Sequence, residues 1–399
     1  MNYVASNQRK MFRPNGDEQP NHVTLAKLLA GYGELVEDLG GKAEHLLAQA
    51  ELTPADLEDP LALIPVPAIG QLLEDSAAAL ACPDFGLRLA ERQSPDAIMQ
   101  PLDRLFHTAP TVRDALESCS RHVGAFNSGL IMDVSVQDFL AEDFDDNEFG
   151  SADQGSLVLA DFKLLNGLAL FPQFMEQLVL LTHKCILNLS AGFARSRMIL
   201  FSHLRIGPPV AYARRFNTVI RFGQEYDGLL FGERDVGTRI AGSDAELFAC
   251  EAQLAAARFP ARDRDIEARV RQAIFKALTH SEECSRHNIA ARLGFQERTL
   301  NRHLFKKRTS FEAIRDEVRR NLAFRYLARH DLSLSDIAGR LGYSELAVLS
   351  RCCQRWFGSS PSQLRQNLLG SQNLGDGPRS SSQWQHKRGR SSHQAVSLL

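Results

Sequence analysis

SRHNIAARLGFQE, from Ser285 to Glu297, returns 48 residues later as SLSDIAGRLGYSE, from Ser333 to Glu345. Ser285, Ile289, Ala290, Arg292, Leu293, Gly294, Phe295 and Glu297 meet Ser333, Ile337, Ala338, Arg340, Leu341, Gly342, Tyr343 and Glu345. After one extra residue the match continues, with Leu300, Arg302 and Lys306 facing Leu349, Arg351 and Arg355. Such self-similarity says that one supersecondary unit is used twice. Each copy reads the same way. A serine starts a short helix, with Asp336 completing a capping-box pattern in the second copy. The Ile-Ala-x-x-Leu face lasts about two turns. A glycine then supplies the left-handed residue that ends a helix, and the aromatic after it is placed to fill the angle with the helix that follows. Ser344 is read as the cap of the second of those helices. Short helix, glycine turn, second helix is the helix-turn-helix plan, in which the second helix enters the major groove of DNA.

Outward from the repeat, Ile266, Val270, Ile274 and Leu278 step along one face of a preceding helix. Phe311, Ile314, Val318, Leu322 and Tyr326 do so on a long helix joining the two units, with Arg315, Arg319, Arg320, Arg325 and Arg329 over much of its remaining surface. Gly358 stops the last unit, and Ser360-Pro361 opens a final helix. The unit boundaries are read as 285–308 and 333–357, inside an all-α region spanning 264–367.

Charge separates this region from the rest. The chain carries −2 overall, but residues 1–261 carry −14, residues 262–369 carry +9 and the last thirty carry +3. An acidic first part joined to a basic second part points to a polyanion partner for the second alone. The first part mixes signals. Helical spacing is read through Leu25 to Leu39, at Leu46 and Leu47, through Ile69 to Leu80, and from Thr111 to Val123 with Thr111 as N-cap. Strands are read at Gly129–Val136, Phe139–Phe144, Arg197–His203, Thr218–Phe222 and Gly228–Phe231, and helices at Gly155–Leu170 and Phe174–Ala191. This predicts an α+β region over 21–258. Residues 1–20 and 368–399, polar and poor in apolar residues, are expected to be disordered.

Several function classes drop out. The longest apolar-rich stretch, Phe174 to Phe193, is broken by Glu176, Gln177, His183, Lys184 and Asn188, so no membrane span is expected. Arg9, Lys10, Arg13 and Asp17 precede no apolar run, so no secretory signal is read. Seven cysteines without a CxxC pair fit neither a disulfide framework nor a zinc site. Together these give a cytoplasmic expectation with no cofactor and no metal. His280, Cys284 and His287, or His183 and Cys185, lack a second matching pair of ligands. The acidic run from Glu142 to Glu148 lacks the spaced calcium loop. Cys352-Cys353 reads as core packing rather than a redox pair.

On the second helix of the first unit, Leu300 and Leu304 face inward, leaving Arg298, Thr299, Asn301 and Arg302 as candidates for base edges. Arginine matches guanine O6 and N7, and asparagine matches adenine. Arg298 and Arg302 are the leading pair, with contact to phosphate alone as the competing reading. Lys306, Lys307 and Arg308 read as phosphate contacts or solvated charge. In the second unit Ala347, Ser350 and Arg351 are the base-edge candidates and Arg355 a phosphate candidate, so the first unit is expected to carry more sequence information.

Asp336-Ile337-Ala338, Leu341-Gly342-Tyr343-Ser344, Arg351, Arg355, Gly358, Ser360-Pro361 and Arg365 together resemble the signature of the AraC/XylS transcription regulators. Leu349 and Cys353 stand where that family usually has phenylalanines, which implies looser packing of the second unit. The first part is similar to the effector domain of ornithine-utilisation-type regulators in that family, on Asp84-Phe85-Gly86-Leu87-Arg88-Leu89-Ala90, Ala109-Pro110-Thr111 and Phe201-Ser202-His203. The resemblance implies an activator that binds double-stranded promoter DNA, responds to a small metabolite, forms a homodimer and meets RNA polymerase. It also implies base contacts at Arg298 and Arg302. Two other readings stay open: a regulator with no small ligand, controlled by its abundance or by a protein partner, and a DNA-modifying enzyme carrying this module. Cys82, Cys119, Cys185 and Cys250 lack the Pro-Cys-His setting that a repair methyltransferase needs.

Overall fold

A computed structural model describes residues 22–137, 157–164, 171–224, 226–259, 266–279, 282–327 and 332–370. The expectations for residues 1–20, the strand at Phe139–Phe144, the acidic run and the tail beyond 370 lie outside these.

The described residues begin with β1 (Val23–Leu25), a 3-10 turn and α1 (Tyr32–Asp38), so the helical spacing from Leu25 to Leu39 does not make one helix. Gly31, at φ +79°, breaks it. Helices α2 (Ala43–Gln49), α3 (Val66–Ala79), α4 (Phe85–Arg92), α5 (Pro95–Met99), α6 (Asp103–Thr108) and α7 (Val112–His122) follow, with β2 (Leu63–Pro65) antiparallel to β1. Thr111 caps α7 as expected, in a capping box with Asp114.

The main sheet runs β3-β4-β7-β5-β6: β3 (Leu130–Gln137), β4 (Leu157–Leu164), β5 (Met198–Phe201), β6 (Val219–Phe222) and β7 (Asp227–Gly232). Only the β5–β6 pair is parallel. The helix expected at Gly155–Leu170 is wrong, because Leu157–Leu164 is a strand paired on both sides, to β3 and to β7. All its residues but Lys163 are buried, so the run shows no in–out alternation. A mostly apolar run of this length, broken only by Asp161 and Lys163, fits a central strand and a buried helix equally well, and only its neighbours decide.

Helix α8 (Pro172–Leu189) lies along the sheet's larger apolar face and packs against α4, α3 and α5. One hydrophobic cluster joins these helices to Leu130, Met132, Val158, Phe162, Ile199, Phe201 and Phe231. The opposite face of the sheet carries a small cluster around Leu159, Met198 and Leu230, and beside it Asp133, Asp161 and Lys163. Helices α9 (Pro209–Phe216), α10 (Glu233–Val236) and α11 (Ala245–Arg258) complete the α+β part.

From residue 266 onward every described element is helical: α12 (Ile266–Thr279), α13 (Arg286–Arg292), α14 (Glu297–Lys306), α15 (Phe311–Leu327), α16 (Leu334–Arg340), α17 (Leu346–Phe357) and α18 (Pro361–Gly370). Val270, Ile274, Phe311, Ile314, Leu322 and the buried residues of both repeats form a second hydrophobic cluster. No helix among the described residues is long and apolar enough to cross a membrane.

Candidate nucleic-acid interface

The two copies of the repeat fold alike. Ser285 Oγ accepts from Asn288 N, and Ser333 forms a capping box with Asp336. Gly294 and Gly342 sit at φ +76° and +69°, in the left-handed region where a Cβ is strained. Behind each, the main-chain N–H of the aromatic residue reaches back across the turn: Phe295 N donates to Ala290 O and Tyr343 N to Ala338 O, both at 2.9 Å. These are Schellman closures, and they turn the chain sharply into α14 and α17.

An arginine from a neighbouring helix braces each turn. Arg269 of α12 donates to Leu293 O at 3.1 Å and stands 5.4 Å from the centre of the Phe295 ring. Arg319 of α15 donates to Gly342 O at 3.3 Å and stands 4.5 Å from the Tyr343 ring. Arg271, only 7% exposed, forks between Glu267 at 2.9 Å and Glu317 at 2.8 Å, which ties α12 to α15. Burial opposes its charge, and the two carboxylates more than offset that, so its pKa is raised. Sequence reasoning passed over Arg269 and Arg271 and treated Arg319 as surface cover. Their roles depend on which helix lies across which turn.

On α14, Leu300 and Leu304 are fully buried. Arg298 and Arg302 are therefore exposed on the far side, with Thr299 and Asn301 half-buried at its edges. Lys306, Lys307 and Arg308 are exposed at the helix end, where Arg308 at φ +57° leaves the helix. Among the described residues no ion pair engages Arg298, Arg302, Lys306 or Arg308. Phe305, which the sequence reading did not single out, is 82% exposed beside this basic end.

On α17, Leu349 and Cys353 are fully buried, so the two departures from the family pattern are core residues. Burial pushes the Cys353 thiol up to about 12, which keeps it neutral. Ala347 and Arg351 are exposed and Ser350 half-buried. Glu345, rather than Ser344, stands at the N-cap, and it makes no side-chain cap bond. The Arg355 guanidinium pairs with Asp316 of α15 and lies 5.8 Å from the Trp356 ring, so part of its charge is already engaged inside the protein. Ser360 Oγ caps α18 by accepting from Gln363 N.

The comparisons with known proteins agree with this arrangement. Residues 40–240 match the arabinose-binding domain of AraC transcription regulators, and residues 289–367 match a helix-turn-helix domain. The HTH-type transcriptional regulator VirS of Mycobacterium tuberculosis is 30% identical over 338 residues, which is 84% of this chain and 94% of VirS. The chain belongs to the AraC family of transcription regulators.

This AraC-type regulator also shares 36% identity over 69 residues with the ornithine utilization regulator of Pseudomonas aeruginosa, 17% of the one chain and 20% of the other. Among solved structures, the transcriptional regulator CdpR of Pseudomonas aeruginosa aligns at 19% identity over 81% of this chain and 96% of its own, with a TM-score of 0.36. The family matches and the relation to VirS give the regulator a mixed α+β N-terminal region, a helical DNA-binding C-terminal region and a role in transcription.

Proposed function

We propose that the regulator reads promoter DNA through two helix-turn-helix units, 285–308 and 333–357, joined by the long helix α15. The region 264–367 acts as the DNA-binding domain, and 21–258 as a domain that senses a small metabolite and dimerises. The observation that carries this reading is the duplicated unit itself, with its repeated cap, glycine closure and arginine brace, in the part of the chain that holds the +9 charge. Helices α14 and α17 lie in successive major grooves. Arg298, Thr299, Asn301 and Arg302 of the first, and Ala347, Ser350 and Arg351 of the second, meet base edges. Lys306, Lys307 and Arg308 contact phosphates, and Arg355 does so in exchange with Asp316.

The regulator works in the cytoplasm as an activator that contacts RNA polymerase. Its metabolite shifts the population toward the arrangement that presents both recognition helices. The family match over residues 40–240 supports a sensing role for the first region. Genome-wide mapping of bound DNA, followed by titration of the recovered site at several salt concentrations, tests the reading. The expected result is a discrete operator with two half-sites and an affinity that falls steeply with salt. Binding that is indifferent to sequence would overturn it. An operator affinity constant across the metabolites of the neighbouring genes would leave a regulator without a small ligand, controlled by its abundance or by a protein partner.

A further inference from the structure

A cavity of about 120 Å³ opens into the N-terminal core, lined in part by α7, α8 and the face of the sheet that carries Leu130, Met132 and Phe162. Most of its wall is hydrocarbon. Thr182 Oγ1 already donates to Leu178 O at 2.9 Å, and burial pushes the Cys119 and Cys185 thiols up to about 12, so neither is a thiolate. Two polar groups remain, and they flank Phe126.

The first is Lys27, whose ammonium is buried 4.8 Å from the Phe126 ring centre. Its three N–H bonds are directed at main-chain carbonyls, those of Ile98 and Gln100 and, at 3.5 Å, that of Ala97. Carbonyls orient an ammonium but carry no net charge, and among the described residues no carboxylate forms an ion pair with it. Burial holds its pKa down at about 8. The second is Asn127, 2% exposed. Its Oδ1 accepts from Gly129 N at 2.8 Å, while its Nδ2 has no partner. Asp103 acts on Lys27 only at a distance, and a buried cation held by neutral carbonyls and a buried donor without an acceptor each carry a desolvation cost that an anionic acceptor lowers.

A sugar would bring several hydroxyls into a wall with nothing to pair them, and a diamino acid would set further positive charge beside Lys27. We propose that this cavity is the effector site and takes an amphipathic monocarboxylate, with its hydrocarbon tail among Leu116, Leu181 and Ile186 and its carboxylate between Lys27 and Asn127. This rests on the sensing role proposed above and names the chemistry of what is sensed.

Octanoate is the probe, titrated into the full-length protein by calorimetry beside 1-octanol, L-ornithine and L-arabinose. Octanoate binds, octanol binds roughly tenfold more weakly for want of the charge-assisted contacts, and the two polar compounds do not bind. Lys27→Met and Asn127→Asp each weaken octanoate by about tenfold or more, and Lys27→Met leaves octanol unchanged. Ala115→Phe fills the cavity without touching either polar group and abolishes binding of both apolar probes. Circular dichroism confirms that each variant folds. Octanol binding as tightly as octanoate, or octanoate indifferent to both polar variants, overturns the headgroup assignment. No binding of either apolar probe overturns the site. Octanoate that binds without changing operator affinity supports the ligand class and overturns the sensing role. Ornithine or arabinose that changes operator affinity, with octanoate inert, does the reverse.

Discussion

Lys276 Nζ stands 2.9 Å from Asp133 Oδ2, and this ion pair joins α12 of the helical region to β3 of the sheet. Two further contacts run alongside it: Lys163 Nζ lies 4.8 Å from the centre of the Phe275 ring, and Arg325 Nη2 lies 3.6 Å from Asp227 Oδ2. Side chains alternate across a strand, so Met132 and Phe162 line the apolar cavity while their neighbours Asp133 and Lys163 meet α12. The same two strands thus wall the cavity on one face and carry contacts to the helical region on the other.

Breaking that seat should loosen the link without unfolding either part. Lys276 is 45% exposed and Asp133 18%, so solvent screens the pair and its coupling energy should not exceed about 1 kcal/mol. A double-mutant cycle of Asp133→Asn and Lys276→Met, read by thermal melting, gives that coupling directly. Additive losses would show that the two groups do not act on each other.

Arginine-to-alanine changes on the recognition helices separate base reading from phosphate binding. Arg298→Ala and Arg302→Ala should each cost about 1–3 kcal/mol at one preferred base pair and relax specificity there. Lys306→Ala should instead weaken all sequences alike and lower the salt slope by roughly one. Half-site mutagenesis should show larger losses in the half read by α14 than in the half read by α17. Equal losses in both halves would contradict the ordering.

The brace at Tyr343 is structural. Arg319→Ala removes both the stacking on the ring and the bond to Gly342 O, with an expected loss of about 1–2 kcal/mol of stability. Arg319→Lys should recover little, because an ammonium lacks the planar face. Chemical denaturation of the three proteins checks this, and full rescue by lysine would refute the stacking account.

Gly294 offers a cleaner backbone test. A Cβ there meets nothing within 4 Å, so Gly294→Ala changes only the cost of φ +76°, about 1–2 kcal/mol. A Gly294→Asn variant, which tolerates the left-handed region better, should be less destabilised when the two are melted side by side.

Glu176 sets a pH dependence. It is fully buried and accepts from Tyr212 Oη at 2.6 Å, and burial raises its pKa well above the usual 4.5. The folded protein keeps a proton that the unfolded chain releases above pH about 4.5, so this group's contribution to stability is complete in acid and declines as pH rises. Glu176→Gln should flatten that decline in a series of melting temperatures from acid to neutral pH. An unchanged slope would mean that the carboxyl is ionised in the fold.

The repeat at Ser285 and Ser333 was legible from the sequence alone, because caps, glycine closures and two-turn apolar faces are local devices whose geometry follows from neighbouring residues. The burial of Leu300 and Leu304, and with it the exposure of Arg298 and Arg302, follows from helical period in the same way. Contacts between distant elements were not legible. Nothing near Leu157 marks it as a central strand, since its apolar run acquires a direction only from β3 and β7. Arg269 carried no signal and Arg319 looked like surface charge until α12 and α15 were laid across the two turns. Lys27 and Asn127, a hundred residues apart, share a cavity only because Lys27 and Phe126 are packed together. Local periodicity fixes which faces are apolar. Which faces then meet is settled by tertiary packing, and with it the partners of every buried charge.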